Sequence, residues 1–485
     1  MCRVVVSPVL AAAILVVGFS VSAKGQLNAR ANENFDHIRH SDLSVFRAAD
    51  GTVQPVKSPE DWSQRRLQIL DGMQAAMGPL PSRSHLPAFD VRITEDVRRG
   101  DVRRVTLTIA AEGSDRLPID LYLPKAIADS VDVSKLLDAD GVTRLAAVVA
   151  LHPTGSPGKR IVAGEGGKLG RQYGLEMAQR GYVVAAPDYP SFGEYTKYDF
   201  TADNYVSGTM KGIFNHMRCV DFLSALKFVD SERIGVIGHS LGGHNAIFLG
   251  VFDERVKVII SCCGWCPFHD YYAGDIKGWT SDRYMPRLRD DYGLNPDKVP
   301  FDFYELVAAL APRTFVSVSP LRDANFDVNG VKKAMPVAGA IYALLNSRAE
   351  LILLTPDCEH DFPMDMRMQS YGVMDRVLKH TPDPFEPDYA EELPRIPARS
   401  PADALASFQV ADGFEMQLTA AEPLVTDPVA MSFDADGRLF VAEMLDYSEQ
   451  ATEHLGRIRV LVDTDSDGRF DKGQLRPSAK IWPLC

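Results

Sequence analysis

The sequence predicts an α/β protein whose doubly wound, mainly parallel sheet carries a cap insertion and precedes a short, incomplete all-β segment. From about residue 145, apolar runs that suit strands covered on both faces alternate with helical segments. Beyond about residue 405 the hydrophobic period becomes two, as in strands with one exposed face. A proline-rich stretch separates the two patterns. We therefore predict a main domain over 24–380, a semi-rigid linker over 381–405 and a β segment over 406–485.

The elements of the main domain follow from local signals. Ser58-Pro-Glu-Asp61 predicts a helix start, and Gly78-Pro79 predicts its end. Two apolar runs then predict an antiparallel hairpin, and six later runs predict buried strands. The predicted strands are 103–111, 117–123, 145–151, 182–186, 233–237, 256–261, 313–318 and 351–354, and the intervening helices are 173–180, 212–229 and one from 241. The aromatic insertion at about 266–306 is too long for a bare connection and predicts a cap.

The N-terminus is typical of a secretory signal peptide. Arg3 precedes an apolar run over 4–19, and the small residues of Val21-Ser-Ala23 suit cleavage after Ala23. We therefore expect a signal peptide over 1–23, a secreted or periplasmic protein, and no stable membrane span after cleavage. The alternative is an uncleaved anchor, although the run is short for a span of roughly 20 residues. The net charge of −13 argues against a nucleic-acid partner.

Six of the seven cysteines follow the predicted cleavage point. Cys263-Gly-Trp-Cys266 has the C-x-x-C spacing of a redox motif, but it follows an apolar strand without the surrounding thioredoxin-type pattern. Structural cysteines are the favoured interpretation, and the sequence leaves their pairing open.

A nucleophile motif follows the strand at 233–237. In Gly238-His-Ser240-Leu-Gly242, a sharp strand-to-helix turn would expose the serine hydroxyl above the sheet. The helix N-terminus behind the serine favours developing negative charge. The alternative, a glycine-rich turn without chemistry, does not explain why the motif joins an apolar strand to a helical run. We therefore predict Ser240 as a nucleophile.

The base and the acid should lie in loops after later strands, because the order in this arrangement is serine, acid, histidine. His360 is the histidine in the loop after the strand at 351–354. Asp323 comes soonest after the strand at 313–318, and Asp327 is the alternative acid. The acid would hold the imidazole tautomer and stabilise the imidazolium.

Two backbone N–H groups are expected to stabilise an oxyanion. One belongs to Leu241, which follows the nucleophile, and the other to Thr154 in the loop after the strand at 145–151, with Gly155 as the alternative. His152 in the same loop is expected to brace it. Among the cap aromatics, Trp265, Tyr271 and Trp279 are predicted to contact substrate, with a purely structural role as the alternative.

These residues together resemble the α/β-hydrolase superfamily, and within it the bacterial esterases similar to dienelactone hydrolases and acetyl xylan esterases. The resemblance covers about 60–380 and is carried by four motifs: His152-Pro-Thr-Gly155, Ala186-Pro-Asp-Tyr-Pro-Ser-Phe-Gly-Glu194, Gly238-His-Ser-Leu-Gly-Gly243 and Glu359-His-Asp-Phe-Pro363. It implies two-step acyl transfer through Ser240 and His360 without a cofactor. Dienelactone hydrolases proper use cysteine, so Ser240 favours simple esters, with small-molecule esters or acetyl esters of carbohydrates as candidate substrates.

The tail resembles the first strands of the propeller of planctomycete-type membrane-bound dehydrogenases, through Phe408-Gln-Val-Ala-Asp-Gly-Phe-Glu415 and two later motifs, Asp427-Pro-Val-Ala-Met-Ser-Phe-Asp434 and Gly437-Arg-Leu-Phe-Val-Ala-Glu-Met444. Strands are predicted at 415–419, 438–442 and 457–462. About 80 residues cannot supply a complete propeller, so this segment is expected to be catalytically silent.

An acidic run in the tail provides a possible calcium site. The carboxylates are those of Asp463, Asp465, Asp467 and Asp471, although Gln474 stands where an EF-hand has glutamate. The alternative is an acidic turn.

Three functions compete. An ester hydrolase is favoured. A serine peptidase of the prolyl-oligopeptidase type is the second candidate, but its propeller normally precedes the hydrolase. The third is a binding or redox protein that acts through the tail, and the absence of a C-x-x-C-H haem motif argues against it.

Overall fold

The computed structural model describes residues 38–139, 143–166, 168–202, 204–385, 399–445 and 455–476. The chain divides into two compact units, Met1–Leu393 and Pro394–Cys485. The predicted signal peptide lies outside the described residues, and so do residues 386–398 of the predicted linker. Within the described ranges, no helix combines the length and the apolar character that crossing a bilayer requires.

The first unit is built from strands and helices in alternation. Its strands are β1 (Val45–Arg47), β2 (Val53–Pro55), β3 (Arg92–Arg99), β4 (Val102–Glu112), β5 (Asp115–Leu123), β6 (Leu145–Leu151), β7 (Val183–Pro187), β8 (Val229–His239), β9 (Val256–Cys262), β10 (Thr314–Val318) and β11 (Leu351–Leu354). Its helices are α1 (Pro59–Met77), α2 (Tyr173–Gln179), α3 (Gly208–Ala225), α4 (Leu241–Phe252), α5 (Arg287–Asp290), α6 (Phe303–Ala309), α7 (Val328–Leu344) and α8 (Met364–Leu378). Short 3₁₀ turns lie at Val133–Asp138, Gly158–Ala163, Gly193–Tyr195, Tyr271–Gly274, Ile276–Trp279, Pro296–Lys298 and Arg348–Glu350.

A nine-stranded sheet occupies the centre of this unit, in the order β11-β10-β9-β8-β6-β7-β5-β4-β3. Strands β6 to β11 pair in parallel, and β5, β4 and β3 add to β7 in antiparallel fashion. The predicted mainly parallel sheet is thus confirmed. The sequence analysis did not predict β3, a charged and partly exposed edge strand.

Both faces of the sheet are covered, as the continuous apolar strands predict. Alternate residues of β6 belong to two different buried clusters, because successive side chains point to opposite faces: Ala147, Val149 and Leu151 on one face, and Ala146, Val148 and Ala150 on the other. The first cluster includes residues of α1, α3, α4 and α7, and the second includes residues of α2 and α8. The doubly wound architecture is therefore confirmed.

Helix boundaries follow their capping residues. The Ser58 hydroxyl accepts a hydrogen bond from the Asp61 N–H at 3.2 Å, and the Asp61 carboxylate accepts one from the Ser58 N–H at 3.0 Å, which begins α1 where the sequence predicts. Helix α3 begins earlier than predicted because Ser207 caps it, and it ends at Ala225, so that Val229 belongs to β8 instead.

The cap insertion contains α5, three of the 3₁₀ turns and the beginning of α6, with no strand among its residues, all of which are described. Five of its apolar side chains are fully buried and join the first core cluster: Ile276, Met285, Leu288, Val299 and Phe301. The insertion is therefore a packed part of the first unit.

The second unit has a helix α9 (Pro401–Ala406) and a four-stranded antiparallel sheet of β12 (Pro428–Phe433), β13 (Leu439–Glu443), β14 (Arg457–Val462) and β15 (Lys472–Leu475). Helix α9 begins inside the predicted linker. The strand predicted at 415–419 is wrong, because those residues are irregular and mostly exposed and have no strand partner. The other two tail strands form β13 and β14. One four-stranded sheet is compatible with a single propeller blade, and the propeller resemblance stays a prediction.

Candidate active site

Ser240 occupies a tight turn between β8 and α4. Its backbone has φ 56° and ψ −116°, a strained conformation for a residue other than glycine. The Ser240 N–H donates to the carbonyl of Cys262 at the end of β9, at 2.8 Å. A Cβ at Gly242 would lie 1.9 Å from the Leu151 carbonyl oxygen, so only glycine fits there. The sequence motif thus forms the sharp turn that it predicts.

Asp323 and His360 meet at the carboxyl end of the same sheet. The Nδ1–H of His360 donates to the Asp323 carboxylate, with distances of 3.0 Å to Oδ1 and 2.9 Å to Oδ2. The Asp323 side chain is 1% exposed, and its Oδ1 also accepts the Asn325 N–H at 2.8 Å. The hydrogen bond to Asp323 fixes the proton of His360 on Nδ1, so the neutral imidazole presents Nε2 as its basic nitrogen.

A ring contact places His360 beside the Ser240 turn. The ring of His239, the residue before Ser240, lies edge-on to the His360 ring with centroids 4.9 Å apart. The loop of His360 is fixed by Arg171, whose Nη2 donates to the His360 carbonyl at 3.2 Å and whose guanidinium pairs with Asp361. The alternative acid, Asp327, instead caps α7 by accepting the Asn329 N–H at 2.8 Å.

The loop after β6 lies beside the Ser240 turn, because Leu151 and Gly238 are register partners in neighbouring strands. Thr154 is exposed in this loop, and Leu241 is the first residue of α4, where an N–H has no partner within its helix. His152 braces the loop: its Nδ1 is 2.7 Å from the Pro153 carbonyl, and its Nε2 accepts the Tyr189 N–H at 3.0 Å.

Asp188, a buried carboxylate that the sequence analysis missed, links the loop after β6 to the loop after β7. Asp188 is 0% exposed, and it accepts hydrogen bonds from the backbone N–H of Lys159 at 2.8 Å, from its Nζ at 2.8 Å, and from the Glu194 N–H at 2.9 Å. A Cβ at Gly193 would lie 2.0 Å from Asp188 Oδ1. The site thus depends on a buried ion pair that does not itself touch Ser240.

Removing the Asp188 carboxylate is expected to destabilise the fold strongly. In Asp188→Ala the Lys159 ammonium, 1% exposed, loses its buried partner, and we expect the free energy of unfolding to fall by about 3–5 kcal/mol. Urea denaturation measures the change. The control is Glu194→Gln, since the Glu194 side chain is 45% exposed and its ion pair with Lys159 is worth under about 1 kcal/mol. Equal small losses in both variants would contradict a structural role for Asp188.

The three aromatic residues predicted to contact substrate lie in different surroundings. Trp265 is 1% exposed, and its indole N–H donates to Ser317 Oγ at 2.9 Å, so it is a core residue rather than a cleft residue. Tyr271 is half-buried, and its ring contacts Trp279 and Phe326 at 5.6 Å each. Phe326 in turn stacks at 6.1 Å on His360, so this aromatic group adjoins the site.

Three buried histidines, His216, His239 and His244, lie in the first unit, and the sequence analysis assigned them no role. Burial lowers the pKa of His216 and of His244 to about 3 each. Burial also lowers the pKa of His239 well below its ordinary value, with a smaller contribution from Arg171. These three rings therefore stay uncharged at neutral pH. His360 differs from them because its ring contacts a carboxylate, that of Asp323.

Possible metal donors come together in three places within the described residues: His239 with Cys262 and Cys263, Cys263 with Asp323 and His360, and Asp463 with Asp465 and Asp467. In the tail, Asp471 does not join its predicted partners, because its carboxylate accepts the Thr464 N–H at 3.0 Å. Calcium binding there stays a prediction. The five cysteines within the described ranges are free thiols, and Cys263 and Cys266 of the C-x-x-C motif are both buried.

Known proteins resemble the two units separately. Residues 173–324 match the model of the prolyl oligopeptidase family, a segment that contains Ser240 and Asp323 but ends before His360. Residues 400–475 match a domain of unknown function.

Two relatives and one solved structure resemble this chain. A putative hydrolase, YtaP, of Bacillus subtilis (strain 168) is 24% identical over 298 residues, which span 58% of this chain and 88% of that protein. Carbohydrate esterase MZ0003, of an unknown prokaryotic organism, is 25% identical over 195 residues, 37% of this chain and 44% of that protein. The glucuronoyl esterase from Solibacter usitatus superposes with a TM-score of 0.53 at 18% identity, covering 70% of this chain and 98% of that structure.

The sheet, the strained serine and these matches define the first unit as an α/β-hydrolase. The chain is therefore a hydrolytic enzyme of that fold, and an ester hydrolase is among the proteins that it resembles.

Proposed function

We propose that the protein is a serine hydrolase that cleaves carboxylic esters through an acyl-enzyme, with Ser240 as nucleophile, His360 as base and Asp323 as acid. The observation that carries the proposal is the pair of hydrogen bonds between His360 Nδ1 and the buried Asp323 carboxylate, at the sheet edge where the strained Ser240 turn lies. A base oriented by a third group, next to a nucleophile, is the general signature of an activated serine.

The chemistry follows from the protonation state of His360. With its Nδ1 proton held by Asp323, Nε2 accepts the hydroxyl proton of Ser240 as the oxygen attacks the ester carbonyl. The N–H groups of Leu241 and Thr154 would stabilise the resulting oxyanion. The imidazolium then gives its proton to the leaving alcohol, and water activated by His360 releases the acid. The buried Asp323 carboxylate stabilises the imidazolium in both steps.

Carbohydrate esters are the substrate class that we favour. The similarity to a carbohydrate esterase and the fold shared with a glucuronoyl esterase support this choice over simple alkyl esters. Acetyl esters of carbohydrates are included in the proposal, together with a secreted or periplasmic location that rests on the N-terminal sequence pattern.

The test is a substrate panel with a covalent probe. We expect the purified protein to hydrolyse p-nitrophenyl acetate faster than a p-nitrophenyl ester of a long acyl chain, and to release acetate from acetylated xylan. A fluorophosphonate should label Ser240, as located by peptide mass spectrometry. Labelling of another residue, or no ester turnover together with no labelling, would contradict the proposal.

A serine peptidase is the second candidate, because residues 173–324 match the prolyl oligopeptidase family model. A peptide p-nitroanilide in the same panel separates the two functions. Cleavage of the anilide without cleavage of any ester would favour the peptidase, and we expect the reverse.

A further inference from the structure

A cavity lies in the first unit, and Ser240, Asp323 and His360 are not among the residues that line it. Its volume is about 690 Å³, which is within the range of ordinary ligand sites. It lies between the β4–β5 turn and residues 194–202 and 204–205. Three tyrosines, two carboxylates and an ammonium group line it: Tyr195, Tyr198, Tyr205, Glu112, Asp115 and Lys211.

The polar wall of this cavity is fixed in place. Lys211 Nζ donates to Glu112 Oε1 and to Asp115 Oδ2, both at 2.7 Å, and the Lys211 side chain is 1% exposed. The Tyr205 hydroxyl donates to Glu112 Oε1 at 2.6 Å, and the Tyr195 hydroxyl donates to Asp115 at 2.5 Å. Within the described residues both bonds to Glu112 end on Oε1, so Oε2 keeps lone pairs for a hydroxyl donor.

The charges of the lining select the kind of ligand. Four acidic side chains and two lysines line the cavity: Glu112, Asp115, Glu194, Asp199, Lys197 and Lys211. This excess of negative charge disfavours an anion. Tyrosine rings supply apolar faces with polar tips, and the carboxylates supply acceptors. A neutral, hydroxyl-rich molecule satisfies both features.

The cavity lies on the same edge of the sheet as Ser240. Phe192 packs with Leu241 in one buried cluster. Tyr195 follows Phe192 by only three residues, so the Cα atoms of Phe192 and Tyr195 are at most about 11 Å apart. Ile119 of β5 is the register partner of Pro187 at the carboxyl end of β7, which brings the β4–β5 turn to that edge as well.

We propose that this cavity is a subsite for a neutral glycan, and that it holds a part of the substrate distant from the ester. The inference rests on the proposed esterase function for its role, but glycan binding itself can be measured without turnover.

The test uses calorimetry on the full chain carrying Ser240→Ala, with xylohexaose, cellohexaose and hexagalacturonate as ligands. We expect a neutral hexasaccharide to bind, and Tyr198→Ala to weaken that binding at least tenfold. Ser114→Trp, which fills the cavity from an exposed turn, should do the same and guards against misfolding of the first variant. Tyr292→Ala is the matched control, because this half-buried tyrosine does not line the cavity.

Two further readouts distinguish the outcomes. With Ser240 intact, Tyr198→Ala should leave kcat/KM for p-nitrophenyl acetate unchanged and lower kcat/KM for acetylated xylohexaose. The inference is overturned if no neutral hexasaccharide binds, if hexagalacturonate binds more tightly, or if the two cavity variants bind as well as Tyr292→Ala. Glycan binding without any ester turnover would refute the proposed function and leave the subsite standing.

Discussion

Replacing Ser240 with alanine is expected to lower kcat on p-nitrophenyl acetate by about 10⁶-fold. The variant removes the attacking oxygen and keeps the strained turn, whose Ser240 N–H donates to the Cys262 carbonyl. The remaining groups, including the N–H of Leu241, can still stabilise charge, so a residual rate above water is expected. Steady-state kinetics on purified enzyme measures the loss.

The control for this variant is Ser63→Ala. Ser63 lies on an exposed face of α1, and its hydroxyl donates to the Pro59 carbonyl at 2.9 Å. It should keep full activity, and both variants should melt within a few degrees of the unchanged enzyme. Ester turnover by Ser240→Ala at the normal rate would remove Ser240 from the mechanism.

The second large effect is expected from Asp323→Asn, which should lower kcat by about 10³ to 10⁴-fold with KM little changed. An amide can still accept the Asn325 N–H, so the loop is retained. It cannot supply the negative charge that stabilises the His360 imidazolium, and it favours the wrong tautomer of the ring. A lower kcat together with an unchanged KM identifies a loss in the chemical step rather than in substrate binding.

Asp327→Asn is the matched control, four residues further along the chain. Asp327 caps α7, and asparagine is an equally good capping residue. We expect stability and activity near those of the unchanged enzyme. A large loss of kcat in Asp327→Asn together with an active Asp323→Asn would exchange the roles of the two acids.

Much of the fold was predictable because its strands are buried on both faces. The continuous apolar runs of β6, β8, β9 and β10 predict buried strands, although polar and apolar residues do not alternate in them. Strand β3 was missed because it has the sequence Arg-Ile-Thr-Glu-Asp-Val-Arg-Arg, which is mostly exposed at the sheet edge. The strand predicted at 415–419 is wrong because its alternating pattern does not pair with another strand within the described residues.

The site was predictable where chain order constrains it. Ser240, Asp323 and His360 each follow a strand, and parallel strands bring their carboxyl ends to one edge. The choice between Asp323 and Asp327 depended on where α7 begins, which is set by the capping contact of Asp327. The core position of Trp265 depends on Ser317 of β10, and the Lys159–Asp188 pair joins two loops. Such contacts arise from tertiary packing, which a local pattern does not contain.

Because His360 follows β11, catalysis depends on a strand at the edge of the central sheet. Strand β11 has four residues, all partly exposed, and within the described residues its strand neighbour is β10 alone. Border strands open with a smaller free-energy cost than the central ones. Local unfolding of β11 would move the His360 imidazole away from Ser240 while the rest of the sheet stays folded. Enzyme activity would therefore be lost before the protein as a whole unfolds.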